Sequence, residues 1–411
     1  MKYKVTRNPK YDFSGQSYAS FCPSLHRYPA TMLPQIGIEI LKELRIVHGS
    51  LLDPYCGSGS SFVSGLERGI TEMAGFDINP LAVLISKVKF TKISIDTVIE
   101  IKVKLHDAIY RFVKEKNSIH KMAQPCITNA DYWFSKEVIQ HLRLIRHFIY
   151  QIEDECVKQF FLLSFSETVR KCSYVKSNEH KLNRIKPEDI VNCNPDVLSI
   201  FFNKLNDMIF TYSNFYYPKL NDHIKIGIHC SRFYPHNCKY DVVLTSPPYG
   251  DSRTTVAYGQ FSTLSNEWLG VENARKIDGL LMGGERAKAL YRKGVVSDTI
   301  YEISRTDNRR ALEVSSFYCD MEESIGEVAK SVKKGGKIIY VVGNRTVRNI
   351  PLPTDQFVAE HFEENGFCHL LTYKRVMSNK VMPSNNSPEN KTGKMANTIL
   401  YEYIVVCEKT G

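Results

Sequence analysis

Asp53-Pro54-Tyr55-Cys56-Gly57-Ser58-Gly59-Ser60 follows the apolar pair Leu51-Leu52 and leads into Ser60 to Arg68, where Phe62, Val63 and Leu66 share one helical face. A strand, a glycine turn and a helix in that order open a doubly wound parallel sheet. Gly57 and Gly59 remove side chains where the backbone must turn sharply, so a ligand can lie against main-chain atoms at the carboxyl edge of the sheet. By itself such a segment is most simply a tight turn. A phosphate loop would require Gly-Lys-Ser/Thr, and a dinucleotide fingerprint would require a third glycine where Phe62 stands, so both readings weaken.

Downstream, Gly69 closes the helix as a left-handed cap. A second strand runs from Met73 to Phe76 and ends at Asp77, and Asn79-Pro80 caps a helix over Leu81 to Lys89. Asp77 stands about 24 residues after Asp53, where a carboxylate accepts hydrogen bonds from both hydroxyls of a ribose. A cofactor with a ribose and no pyrophosphate fits this pair of signals.

Strand signals then stop, and His106 to Tyr150 and Val157 to Thr168 show helical periodicity. They resume at Tyr240 to Leu244, and again at Gly336 to Val342 after the helix stop Lys333-Lys334-Gly335. Helix Asp355 to Glu364 ends at Asn365-Gly366, and strands His369 to Val376 and Thr398 to Cys407 follow as an antiparallel pair with a long polar connection. The expected architecture is α/β: a Rossmann-like, doubly wound, mostly parallel sheet with an antiparallel C-terminal strand and a helical insertion. Residues 1–104 form the N-terminal segment and cofactor half, 105–225 the insertion, and 226–411 the catalytic half.

With 411 residues, 43% of them hydrophobic, the chain can bury a large core. A net charge of +10 and a pI near 8.9 give weak support to a nucleic-acid partner. No apolar run approaches the roughly 18 residues of a membrane span, and Met1 to Gly15 lacks the apolar core of a secretory signal. The eleven cysteines form no Cys-x-x-Cys pair, which suits reduced thiols, so a cytoplasmic protein without membrane association is expected. His229, Cys230, His236 and Cys238 match no common zinc spacing, and no metal is expected.

Ser246-Pro247-Pro248-Tyr249 stands just past the strand Tyr240 to Leu244. Two prolines fix the backbone and remove two amide donors, so neighbouring carbonyls face outward as acceptors. An exocyclic amino group donating to the Ser246 side chain and the Pro247 carbonyl would have its lone pair aimed for in-line displacement. Tyr249 offers a flat face on which an extruded base can stack. The plain alternative is a surface turn ending a strand.

These segments together resemble the amino-methyltransferases of bacterial restriction-modification systems, in their cytosine-N4, Ser-Pro-Pro-Tyr branch. Asp53 to Ser60 is similar to the family's cofactor glycine motif, Gly75 to Pro80 to its ribose segment, and Thr245 to Gly250 to its catalytic motif. His26-Arg27-Tyr28-Pro29-Ala30 and Met32-Leu33-Pro34 resemble the segment that precedes the cofactor strand. The resemblance implies a class I methyltransferase fold and S-adenosylmethionine as cofactor, held by Tyr28, Pro29, Asp53, Pro54, Tyr55, Gly57, Ser58, Gly59, Asp77, Ile78 and Asn79. It implies catalysis by Ser246, Pro247, Pro248 and Tyr249, double-stranded DNA as substrate, and a cognate restriction endonuclease encoded nearby. The family's Gly-Asp-Ser/Ala-Arg before the catalytic strand is replaced by His229-Cys230-Ser231-Arg232, which puts the adenine contacts in doubt.

Serine at 246 points to cytosine rather than adenine by resemblance. Cytosine-C5 chemistry needs a nucleophilic cysteine, and Pro125-Cys126 lies in the helical insertion away from any sheet end. Adenine-N6 methylation, RNA amino-methylation and DNA binding without turnover stay open as alternatives. Arg170 to Lys186, Arg275 to Arg310 and Lys374 to Lys394 are candidate DNA contacts, and each is equally a solvated charged face. The loops 251–310 and 375–397 belong to the same expectation. Asp251 to Thr255 and Tyr258 to Phe261 resemble the family segment lining the target-base pocket, and Trp268 is read as core.

Overall fold

The computed structural model describes residues 3–16, 22–119, 122–176, 179–234, 238–251, 255–377, 385–386, 396–397 and 399–411. Its frame is one sheet of eight strands: β1 (Val5–Arg7), β2 (Ser50–Asp53), β3 (Glu72–Asp77), β4 (Lys225–Cys230), β5 (Tyr240–Thr245), β6 (Val332–Gly343), β7 (Phe367–Val376) and β8 (Tyr401–Lys409). They lie in the order β1-β7-β8-β6-β5-β2-β3-β4. Strand β8 runs antiparallel to both β6 and β7, and the remaining pairs are parallel.

A parallel sheet covered on both faces needs strands that are apolar throughout, and the central ones are. Leu51, Val242, Leu244, Ile339, Val341, Ile404 and Val406 point into one apolar core, while Leu52, Val243, Ile338, Val342 and Val405 point into the other. The period of two thus distributes neighbouring residues between two cores instead of between core and water.

Helices α1 (Pro34–Glu43), α2 (Ser60–Glu67) and α3 (Pro80–Phe90) cover the first face. The insertion contributes α4 (Ile95–Lys114), α5 (Lys136–Ile149), α6 (Glu155–Lys171) and α7 (Val197–Thr211), each begun by a Ser or Asp side chain that accepts a backbone N–H. Their apolar residues join the same core as α2 and α3, so the insertion is packed onto the sheet layer. Helix α8 (Tyr258–Trp268) closes over this face, with Trp268 fully buried. The other face carries α9 (Ser297–Thr306), α10 (Asn308–Lys330) and α11 (Thr354–Glu364).

The structure corrects the sequence reading at three strands. Lys333-Lys334-Gly335 is not a helix stop but lies within β6, which starts at Val332 after α10 ends at Lys330. Gly335 adopts φ +74° there, and the pairing with β5 slips between Tyr240 and Val242, so a bulge absorbs the lysines. Strand β4 was not anticipated: it is an edge strand with Ile228 its one fully covered residue, and its polar composition masked the alternation of Ile226 and Ile228. The three-residue β1, paired with β7, also lacked a readable signal. Thr398 lies outside the described residues, and β8 runs from Tyr401 to Lys409. Among the described residues no helix is long and apolar enough to cross a membrane.

Candidate active site

Strand order reverses between β5 and β2, whose carboxyl ends sit side by side and leave a crevice between the loops that follow them. Asp53, at the end of β2, is 4% exposed. Its Oδ1 accepts from Thr245 Oγ1 at 2.5 Å and from the Tyr55 N–H at 3.0 Å, and its Oδ2 accepts from the Ser61 hydroxyl. The carboxylate therefore fastens the glycine turn to the end of β5.

Gly57 and Gly59 have φ of +49° and +85°, the left-handed region that glycine enters without strain. A Cβ on Gly59 would stand 2.4 Å from Phe90 Cε2, so close helix packing forbids a side chain there as well. Asp77 Oδ2 accepts from the Gly57 N–H at 3.0 Å and Oδ1 from the Asn79 N–H at 2.8 Å. The Ile78 N–H also addresses this carboxylate, which keeps at least one of its roughly four lone-pair sites to accept from a ribose hydroxyl. This acceptor set fits a nucleoside cofactor.

Burial pushes both Asp53 and Asp77 up to about 6, against the hydrogen bonds that favour their ionised forms. Since the ionised Asp77 is the better acceptor, cofactor affinity is expected to fall as pH drops below about 6. The sign for stability is the reverse: a folded-state value above the unfolded 3.8 makes these two groups cost less as pH falls from about 6 towards 4. Titrating cofactor binding at pH 7.5 and 5.0 checks the first effect. Equal affinities would remove Asp77 from the ribose contact.

Tyr28 is placed by Asn79, whose Nδ2 donates to the tyrosine hydroxyl at 3.1 Å, and by Tyr258, whose ring stacks on it at 5.9 Å. Asn79 also caps α3 and accepts from Asn266 Nδ2 at 3.1 Å. One cleft is lined by Tyr28, Asp53, Pro54, Tyr55, Gly57, Ser58, Asp77 and Ile78 together with Ser246 and Pro248. Its wall does not include Pro29, Gly59, Asn79, Pro247 or Tyr249. Asn79 and Gly59 support the wall through the contacts given above. Tyr249 reaches Ser246 by its hydroxyl, 3.1 Å from Ser246 Oγ, and donates to Glu402 Oε1 at 2.9 Å.

Sequence reasoning missed a whole side of this cleft, formed by Asp320, Glu323, Ser324 and Glu327 of α10. Their spacing of i, i+3, i+4 and i+7 marks one helical face, a signal present in the sequence but without a motif to attach it to. The Tyr55 hydroxyl meets Ser324 Oγ across the crevice. The replaced family segment also lines the cleft, through Ser231 and Arg232. His229 stacks on Phe76 at 4.8 Å, and Arg232 donates to the Leu280 carbonyl at 2.7 Å. Among the described residues no His, Cys, Asp and Glu group has metal-binding geometry, and His236 lies outside them.

Behind the Ser-Pro-Pro-Tyr turn Asp251 is completely buried and accepts from Arg310 Nη2 at 2.8 Å and Arg345 Nη1 at 2.7 Å. Burial raises its pKa, but Arg345 and Arg310 more than offset this and hold it at about 2. A Cβ on Gly250 would stand 2.1 Å from Arg345 Nη1, so the turn and the guanidinium are in direct contact. Arg310 is thereby occupied inside the protein, and Arg275 and Arg286 pair with Glu267 and Glu313 at 2.7 and 3.3 Å. In the other basic segment, Arg170 lies over the Phe261 ring at 4.2 Å and Arg184 over that of Tyr132 at 4.2 Å. Ser252 to Thr254 and most of Lys374 to Lys394 lie outside the described residues.

A mostly parallel sheet with an antiparallel strand beside its end, and a cleft at its switch point, is the fold of a class I S-adenosylmethionine-dependent methyltransferase. The type II methyltransferase M.MvaI of Kocuria varians is 35% identical to the chain over 98% of its length and 94% of the relative's. The chain belongs to that family, the type II methyltransferases, and is an S-adenosylmethionine-dependent DNA methyltransferase. The type II methyltransferase M.MjaII of Methanocaldococcus jannaschii shares 37% identity over 71 residues, 17% of this chain and 13% of its own. No protein-family model matches. Among solved structures, the rRNA methyltransferase aviRa of Streptomyces viridochromogenes aligns over 98% of this chain and 96% of its own at 10% identity and a TM-score of 0.34. An S-adenosylmethionine-dependent methyltransferase of Clostridium acetobutylicum aligns over 92% and 91% at 9% identity and a TM-score of 0.29.

Proposed function

We propose that this enzyme methylates the N4 amino group of cytosine in duplex DNA, as the modification half of a restriction-modification system whose endonuclease is encoded nearby. The observation that carries the reading is the meeting of Asp77, the glycine turn and Ser246 in one cleft. When bound, S-adenosylmethionine supplies an electrophilic methyl group on a sulfonium. Asp77 and Gly57 hold the ribose end, and Tyr28, fixed by Asn79 and Tyr258, closes the opposite flank of the turn. Ser246 Oγ and the carbonyl of Pro247, the residue between the wall residues Ser246 and Pro248, would accept the amine's N–H bonds, which leaves its lone pair free for displacement without a covalent enzyme intermediate, and the amine's surplus proton passes to water afterwards. The cytosine must first leave the base stack to reach this turn.

We assign DNA contact to the insertion segment from Arg170 to Lys186, with the loops 251–310 and 375–397. Within 275–310, Arg275, Arg286, Arg309 and Arg310 are committed to ion pairs with Glu267, Glu313 and Asp251, whereas Arg292 and Arg305 are exposed. Incubation with methyl-labelled cofactor and mixed-sequence duplex DNA, then digestion to nucleosides, is expected to give N4-methylcytosine. N6-methyladenine as the sole product would overturn the base assignment. Cofactor and DNA binding with no labelled product would leave a binding protein.

A further inference from the structure

We propose that Glu402 is a positioning residue that sets the direction of the hydrogen bonds around Ser246, so that the serine presents lone pairs and not its proton to the target amine. The proposal rests on the reading of Ser246 as the acceptor of that amine. Three strands build the arrangement. Glu402 of β8 is in register with Gly343 of β6 on one side and Arg375 of β7 on the other. The missing side chain at Gly343 makes room for Tyr249, since a Cβ there would stand 2.6 Å from Tyr249 Cδ2. Glu402 Oε1 then accepts from the Tyr249 hydroxyl at 2.9 Å. Its Oε2 faces Arg375 Nε at 3.0 Å, an ion pair whose N–H is not aligned for a hydrogen bond, and Arg375 Nη1 donates to the Tyr11 carbonyl at 2.9 Å. The side chains of Arg375 and Glu402 are 4% and 12% exposed, so bulk water competes little for these groups.

The consequence follows from counting protons. An ionised carboxylate only accepts, so Tyr249 must donate its single proton to Glu402. Burial and the Glu402 charge both raise the Tyr249 hydroxyl well above its ordinary value, so that proton stays on the tyrosine. The 3.1 Å contact between Ser246 Oγ and Tyr249 Oη is then satisfied only by donation from serine. Ser246 has no proton left for the cleft, and its lone pairs meet an incoming N–H. If the carboxylate is removed, both hydroxyls are free to reverse, and the serine then presents O–H towards an N–H donor. A Ser-Pro-Pro-Tyr turn thus depends on an acidic residue about 150 positions away in the chain, on the strand that runs against the others.

The test uses single-turnover rates with saturating cofactor and duplex DNA, so that product release does not mask the chemical step. Glu402→Gln and Tyr249→Phe are each expected to slow methyl transfer roughly 10- to 100-fold, the loss of one charge-directed hydrogen bond, with cofactor dissociation constants unchanged. Because Glu402 acts only through the tyrosine hydroxyl, the double variant should be no slower than Tyr249→Phe alone. Tyr249→Phe leaves the Glu402–Arg375 pair in place, so it reports on the chain of bonds even if Glu402→Gln folds poorly. Wild-type rates in Tyr249→Phe, or a double-variant loss equal to the product of the two single losses, would overturn the proposal. Ser246→Ala separates the two levels: full activity in that variant would sink the reading of Ser246, whereas a slow Ser246→Ala beside a fast Tyr249→Phe would sink only the role of Glu402.

Discussion

Ser246→Ala is expected to lower the single-turnover rate of methyl transfer by about 10²- to 10³-fold, the range found when one aligned polar group at a reacting centre is lost. Cofactor affinity should not change, because Asp77, Gly57 and Tyr28 contact neither the Ser246 side chain nor one another through it. The serine sits half-buried on the cleft wall, one residue beyond Thr245, whose own hydroxyl is committed to Asp53. Removing Oγ therefore takes away an acceptor from the site while the strand end stays fastened. Rapid-quench measurement with labelled cofactor, paired with a cofactor titration, decides the matter. A rate within a factor of three of wild type would show that the hydroxyl does not meet the amine.

The second large effect is one of stability. Asp251→Ala would leave Arg310 and Arg345 facing each other in the interior without the carboxylate that both address, and such broken buried pairs cost about 3–5 kcal/mol. Glu313, which also accepts from Arg310 Nη1 at 2.6 Å, retains one guanidinium, but Arg345 is 8% exposed and packs directly on Gly250. The urea midpoint should fall accordingly. The pH dependence has a fixed sign: a carboxyl held at about 2 in the folded state contributes fully above its unfolded value near 3.8 and loses that contribution as pH falls towards 2. The wild-type and variant midpoints should therefore converge in acid. An unchanged midpoint at pH 7 would mean that the two arginines find other partners.

Much of the sheet could be read from residues because its central strands carry uninterrupted apolar runs bounded by strong punctuation. Asp53-Pro54 ends β2, Asn79-Pro80 opens α3, and Asn365-Gly366 ends α11, all as expected. The bulge at Gly335 escaped because Lys-Lys-Gly ends a helix and bends a strand with equal ease, and only the neighbouring Tyr240 and Val242 decide which. Edge strand β4 escaped because one flank has no partner, so its composition follows solvent more than sheet. At the site, the motif-bearing side was legible: Asp53, Asp77 and Ser246 are together. The α10 wall and Glu402 were not, because no local pattern says which distant helix face or strand position completes a crevice. In the Arg275 to Arg310 segment, part of the charge that reads as a nucleic-acid surface in one dimension is paired with carboxylates: Arg275 with Glu267, Arg286 and Arg309 with Glu313, and Arg310 with Asp251.

The bond between Asp53 and Thr245 joins residues 192 positions apart. During translation, β2 emerges long before its neighbour β5, and at roughly 5–20 residues per second the ribosome leaves it with one flank open for about 10–40 s. In that interval Asp53 has no hydroxyl from Thr245, and α2, α3 and the helices of the insertion are the apolar cover made in the meantime. Vectorial synthesis thus separates the completion of the cleft from the appearance of the glycine turn, and a nascent chain becomes competent only after its second half arrives.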